Sequence, residues 1–259
     1  MTVGPSRKMF TRVKTPKELE TMRESGRILA TTLKLLKSET KPGMTTKALA
    51  NIAAVEVRKL GGTTPVLGYQ GFPDVICISI NDEVVHGIPS EDKVIQDGDI
   101  VSLDFVVGYH GMITDSALSF IAGKPLSKKH EDFIVHTEQS LLVGIHAVHH
   151  NVRTGDIGAA IEKELMRHKY GIVRDLVGHG VGDHVHEDPN IPNYGRQNTG
   201  PKLLNGMTIA IEPMATLGTD RVYIGADGWT VSTWDGSWAA HFEHTVAVTE
   251  DGAEILTKV

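Results

Sequence analysis

The sequence predicts an α/β (α+β) chain assembled from two similar halves, and two observations carry that expectation. The order of elements repeats: two helical stretches and a set of short strands, then two more helical stretches and more strands. In addition, QDGDIVSLDF (96–105) has the pattern of LLNGMTIAIEP (203–213): a turn glycine, an alternating apolar strand, then an acid. Gly98 thus corresponds to Gly206 and Asp104 to Glu212, and downstream Asp115 in ITDSALSF corresponds to Glu243 in HFEHTVAV. The expected organisation is a flexible arm over residues 1–14 and a single domain over 15–259, its halves spanning about 15–122 and 123–259.

The first helix opens on T-P-K-E. Thr15 is placed to cap it, Pro16 takes the first helical position, and Glu18 closes a capping box; the helix runs to about Ser38. The second follows the turn KPGMTT, carries Leu49, Ile52, Ala53, Glu56 and Leu60 at helical spacing, and stops at Gly61-Gly62. The third runs from near Ser127 to about His149 with Phe133, Leu141, Leu142 and Ile145 as its buried set. The fourth opens at Thr154, turns Ile157, Ala160, Ile161 and Leu165 inward, and ends at Gly171. The openings KPGMTTKALA and RTGDIGAAIE correspond loosely as well. Strands are expected at 75–80, 100–107, 113–121, 207–213, 230–233 and 243–248, where short β-branched runs are bounded by Gly, Asp or Pro.

At 259 residues, 40% hydrophobic and 22% charged, the chain has the make-up of a globular protein of one large domain or two small ones. A net charge of -6 argues against general nucleic-acid binding, which needs a basic face. Arg7, Lys8, Arg12 and Lys14 do cluster in the N-terminal arm, read as a solvated terminus. A single cysteine, Cys77, excludes an internal disulfide and fits a reducing compartment. The opening MTVGPSRKMF lacks the apolar core of a secretory signal, and no apolar run approaches the roughly 20 residues of a membrane span. A cytoplasmic protein is expected.

Asp104, Asp115, Glu212 and Glu243 each sit inside or at the end of an apolar strand, where a carboxylate is costly to bury unless paired or bound to a cation. Four of them, in two pairs related by a repeat, point to convergence on one site. Two divalent cations would balance their charge. Carboxylates joined by a histidine suit Mn, Fe, Co or Zn better than Ca, and two acids bridging both ions would hold them roughly 3.5–4 Å apart. DLVGHGVGDHVHEDP (175–189) offers three histidines, His179, His184 and His186, and its spacing alone does not choose among them.

DFVVGYHGMITD, GHGVGDHVHEDP, IAIEPM and HFEHT are similar, in order and spacing, to the metal-site motifs of type I methionine aminopeptidases; the resemblance runs from about Thr15 onward through the chain. It implies the pita-bread fold, an internally duplicated, mostly antiparallel sheet with helices packed on its outer face. It implies two divalent ions per chain (Co, Mn, Fe or Zn), Asp104 chelating one, Asp115 and Glu243 bridging both, and His179 and Glu212 completing the second sphere. Water between the ions would be the nucleophile and Glu212 the general base. His186 would contact the substrate carbonyl or its tetrahedral adduct, and His86, on the turn NDEVVHGIP, would hydrogen-bond the peptide. His184 is left as a surface or wall residue.

VLGYQGFPDVIC resembles the segment lining that family's methionine pocket, which gives Tyr69, Phe72 and Cys77, with Trp229 of DGWTV as a wall. Val66 and Val185 stand where relatives often carry a cysteine and a larger aromatic, so the rim departs from the pattern. Met112-Ile113-Thr114 departs too, with the Asp104–Asp115 spacing kept. The implied activity is removal of N-terminal methionine from nascent chains with a small second residue. Nascent N-termini are then the partners, encountered near the ribosome, with no membrane and no specific nucleic acid, and a monomer is the default. A proline-directed peptidase of the same fold would bring an N-terminal domain for which the segment before the first helix is too short. A metal-free binding module would have lost ligand residues, and this chain has all five. The interval from His179 to Glu212 is too short for the helical insertion of type II members.

Overall fold

The computed structural model describes residues 10–259; Arg7 and Lys8 of the basic arm lie outside them. Four helices carry the outer layer: α1 (Pro16–Glu39), α2 (Thr46–Lys59), α3 (Lys128–His146) and α4 (Thr154–Arg167). The first half adds β1 (Cys77–Ile80), β2 (Glu83–Val85), β3 (Ile100–Tyr109) and β4 (Met112–Ile121). The second adds β5 (Gly171–Ile172), β6 (Gly178–Gly180), β7 (Glu187–Ile191), β8 (Thr208–Ile211) and β9 (Met214–Thr216). It continues with β10 (Val222–Ile224), β11 (Val231–Thr233), β12 (Ala239–His241), β13 (Glu243–Val248) and β14 (Ala253–Ile255).

The α1 capping box forms as expected: the Glu18 amide donates to Thr15 Oγ1 and the Thr15 amide to the Glu18 carboxylate. The central sheet is antiparallel, in the order β1-β3-β4-β13-β8-β6-β7, with β14 attached to β13. From β1 to β6 this order is symmetric about the β4–β13 pairing. The repeat extends to the turns. Gly98 (φ 95°) donates its N–H to Ala122 O, and Gly206 (φ 86°) donates its own to Val248 O. The return bonds match as well, Ala122 N–H to Asp99 O and Val248 N–H to Met207 O. α2 and α4 are both 14 residues long.

Each half packs its own core between helices and sheet. Leu29, Leu33, Leu49, Ala53, Ile78, Leu103 and Phe105 fill the first. Phe133, Leu141, Ile145, Ile157, Ile161, Leu165, Ile209 and Val246 fill the second. Leu118 packs against both. Ala160 and Leu142, expected inward, are only partly buried. Because both turn glycines need a left-handed backbone, and a Cβ on Gly206 would stand 2.8 Å from Val13, Gly98→Ala and Gly206→Ala each lower stability by about 1–2 kcal/mol. Urea unfolding of each variant checks this; unchanged midpoints would mean the turns tolerate a side chain.

The expectation of a solvated arm fails for Thr11 and Lys14, which are buried, and holds for the exposed Phe10, Arg12 and Val13. Thr11 N–H bonds Asp188 O, and Arg12 bridges Glu18 and Asp183. Lys14, only 3% exposed, places its ammonium 3.3 Å from Asp183 and 3.6 Å from Glu187. Partly exposed Asp183 and buried Glu187, at the start of β7, draw this lysine in from far along the chain; an unpaired ammonium could not stay there. Among the described residues, no helix is long and apolar enough to cross a membrane.

Candidate metal centre

Register places the acids before any side-chain detail is considered. Directly opposed residues in a sheet share a face, as do alternate residues along a strand. Cys77 on β1 opposes Asp104 on β3, Asp104 opposes Ala117 on β4, and Ala117 opposes Glu243 on β13. One step along, Val106 opposes Asp115, while His179 on β6 opposes Ala210 on β8, which opposes Thr245 on β13. Thr245 Oγ1 accepts from the Asp115 amide (2.9 Å) and donates to its carbonyl (2.7 Å), which ties the two strands. Glu212 follows β8 in the same phase as Ala210. All five expected ligand residues therefore stand on one face, and the alanines between them keep the floor open.

The side chains converge. Ligand atoms of Asp115, His179 and Glu243, all buried, lie within 4.8 Å of one another. His179 Nε2 is 3.5 Å from Glu212 Oε1 and 3.8 Å from Asp115 Oδ2. Its Nδ1 bonds the Gly180 carbonyl at 2.9 Å, so that nitrogen carries the proton and Nε2 presents its lone pair to the acids. The flanking glycines serve close approach: a Cβ on Gly178 would meet Ala210 O at 2.3 Å, and one on Gly180 would meet Asp188 O at 2.6 Å. Gly182 alone of the three has an unusual backbone, at φ 146°.

Burial pushes the Asp104 carboxyl above its ordinary range. It pushes Asp115 and Glu243 well above theirs, and repulsion from the neighbouring acids adds to both shifts. Asp115 Oδ1 and Glu243 Oε1 are buried without a hydrogen bond. Buried acids with orphaned oxygens beside an imidazole lone pair form a donor set that fits a divalent ion, which removes both the desolvation cost and the repulsion.

A cavity of about 170 Å³ opens beside these acids. Every residue expected in the pocket lines it: Val66, Tyr69, Phe72, Cys77, His86, Val185, His186 and Trp229. Asp104 and Asp115 line it as well, and Gln70 and Val106, not anticipated, complete the wall. Trp229 meets Phe72 edge-on at 5.2 Å, and the Asp227 carboxylate holds the Trp229 amide. Cys77 is buried with its thiol pKa raised, first by burial and then by the acids, so it contributes bulk and not a thiolate. His186 Nδ1 is 3.0 Å from the Tyr69 hydroxyl. His86 holds a left-handed φ of 59°, and burial, then His241, lowers its pKa to about 4, which keeps it neutral. Gly87 permits this turn, since a Cβ there would strike Ile78 O at 2.3 Å. His184 is exposed, as expected.

The sequence reading assigned no role to His241. Its side chain is buried at the end of β12, with Nε2 3.6 Å from Glu212 Oε2, and burial lowers its pKa. The available signal was its position two residues before Glu243, in phase with it.

A curled antiparallel sheet bearing a buried acid–histidine cluster defines a metal-dependent hydrolase, and residues 20–250 match metallopeptidase family M24. The chain belongs to that family. It is 46% identical over 249 residues to methionine aminopeptidase 1 of Bacillus subtilis, covering 95% of this chain and 98% of that one. The crystal structure of methionine aminopeptidase from Thermotoga maritima superposes with a TM-score of 0.94 at 41% identity, covering 96% of this chain and 100% of that one. Prolidase from Pyrococcus furiosus shares the pita-bread fold alone, with a TM-score of 0.77 at 23% identity over 95% of this chain and 65% of its own.

Proposed function

We propose that this chain, acting in the cytoplasm as a monomer with residues 15–259 as one catalytic domain, hydrolyses the peptide bond after the N-terminal methionine of nascent polypeptides. The observation that carries this reading is the junction of the apolar slot with the acids. At about 170 Å³ the slot lies below the roughly 300 Å³ of small-molecule sites and takes one side chain. Its apolar wall suits the flexible thioether of methionine.

Asp104, Asp115, His179, Glu212 and Glu243 would hold two divalent ions drawn from Mn, Fe, Co or Zn. When bound, the ions lower the pKa of water and polarise the scissile carbonyl. Glu212 accepts the proton of the attacking water. With the Tyr69 hydroxyl as donor in its 3.0 Å contact with His186 Nδ1, the imidazole proton would sit on Nε2 and meet the carbonyl oxygen as charge develops. Neutral His86 donates to the substrate peptide. The free amino group lies near Asp104, and the closed end of the slot limits trimming to one residue. Encounter with nascent chains near the ribosome follows from the substrate.

The full chain, stripped of metal and reloaded with one ion at a time, is expected to release methionine from Met-Ala-Ser and to leave Xaa-Pro peptides intact. Cleavage of Xaa-Pro in preference to Met-Ala-Ser would move the reading to a proline-directed peptidase. No turnover with any of the four ions would reject it.

A further inference from the structure

We infer that His241 is the positioning residue of Glu212, its Nε2–H directed at Glu212 Oε2 so that the carboxylate keeps one orientation toward the substrate. The inference rests on the reading of Glu212 as the base. Three observations carry it. His241 is 1% exposed and neither ring nitrogen has a hydrogen-bond partner, while Nε2 stands 3.6 Å from Glu212 Oε2. A buried imidazole with no partner is costly unless its N–H meets an acceptor, and the Glu212 carboxylate is the acceptor within reach. At this distance a small rotation closes the bond, as catalytic contacts do when substrate arrives.

The backbone of His241 is held on both sides by one hydroxyl. Ser119 Oγ accepts from the His241 amide and donates to the His241 carbonyl, each at 2.8 Å. Ser119 has thereby given up its proton, so Ser102 Oγ, 2.6 Å away, must be the donor between the two serines. The chain Ser102–Ser119–His241 anchors the His241 backbone to β3 and β4 of the first half. Glu212 belongs to the second half, and Asn193 Nδ2 donates to its carbonyl oxygen at 2.9 Å. The Glu212 backbone and its carboxylate are thus steered by separate groups.

In the manganese-loaded full chain, His241→Leu is expected to lower kcat for Met-Ala-Ser about 10- to 100-fold, the usual effect of losing a group that orients a metal-site residue, with little change in KM. His241→Gln, which keeps an N–H at similar reach, recovers most of that loss. In the chelator-treated full chain, nitrogen NMR of the imidazoles gives the Nε2–H tautomer for His241, and Glu212→Gln shifts its signal. Wild-type kcat in His241→Leu, equal losses in the Leu and Gln variants, or a His241 signal indifferent to Glu212→Gln would each overturn the inference. The NMR arm needs no turnover. An inactive wild-type chain would therefore defeat the reading of Glu212 as a base while the pairing itself is still judged.

Discussion

Glu212→Gln slows methionine release from Met-Ala-Ser by about 10²- to 10⁴-fold, the range for removal of a general base. The amide occupies the same space and still offers one oxygen, but it cannot take a proton. The side chain of Glu212 is 13% exposed and stands between His179 (3.5 Å) and His241 (3.6 Å), so the substitution leaves the surrounding packing in place. The loss is expected to fall on kcat, because the slot proposed to take the methionine side chain is lined by other residues. Steady-state kinetics at saturating metal, with metal content measured on the same samples, separates the two contributions of this residue. A kcat within about threefold of wild type at full metal content would remove Glu212 from proton transfer.

Asp115→Asn and Glu243→Gln move stability and metal binding in opposite directions. In the metal-free fold both carboxyls titrate well above their ordinary range, because burial and neighbouring acids disfavour their charge. The unfolded chain ionises these groups near pH 4, so above that pH the folded state binds more protons than the unfolded state. Stability of the metal-free protein therefore falls as pH rises above about 4 and returns as pH is lowered again. Neutral isosteres abolish this contribution, and the metal-free variants unfold at higher urea than wild type at pH 7. Added Mn, Co or Zn then raises the wild-type unfolding free energy, by about 2.7 kcal/mol at a hundredfold excess over Kd, and leaves the variants unmoved. Metal-free variants less stable than wild type, together with undiminished metal binding, would contradict the electrostatic account of this cluster.

Much of this arrangement was legible in the sequence. The four helices announced themselves through apolar spacing, α1 also through its capping box, and 243–248 was bounded as found. The acids stood out because strand positions that alternate apolar residues have no other use for a carboxylate. β6, which carries His179, was invisible: GHG has no β-branched residue, and its strand exists because glycines let β7 and β8 close in on either side. β2, β5, β9 and β12 were equally hidden, being two or three residues long and stabilised by partners distant in sequence. The burial of Lys14 depended on Asp183 and Glu187, and the place of His241 on Ser119 and Glu212. No local pattern encodes such pairs; they appear only when the halves come together.

That meeting has a mechanical consequence. β4 and β13 share only two register pairs, Glu243↔Ala117 and His244↔Ser116, reinforced by side chains such as Thr245. Like-charged groups face one another across this narrow join, Asp104 and Asp115 from one side, Glu212 and Glu243 from the other. A cation seated there would act as a rivet through this join. The supply of that ion would then set how readily the protein parts along this join, and so how long it lasts among proteases, independently of how fast it turns over substrate.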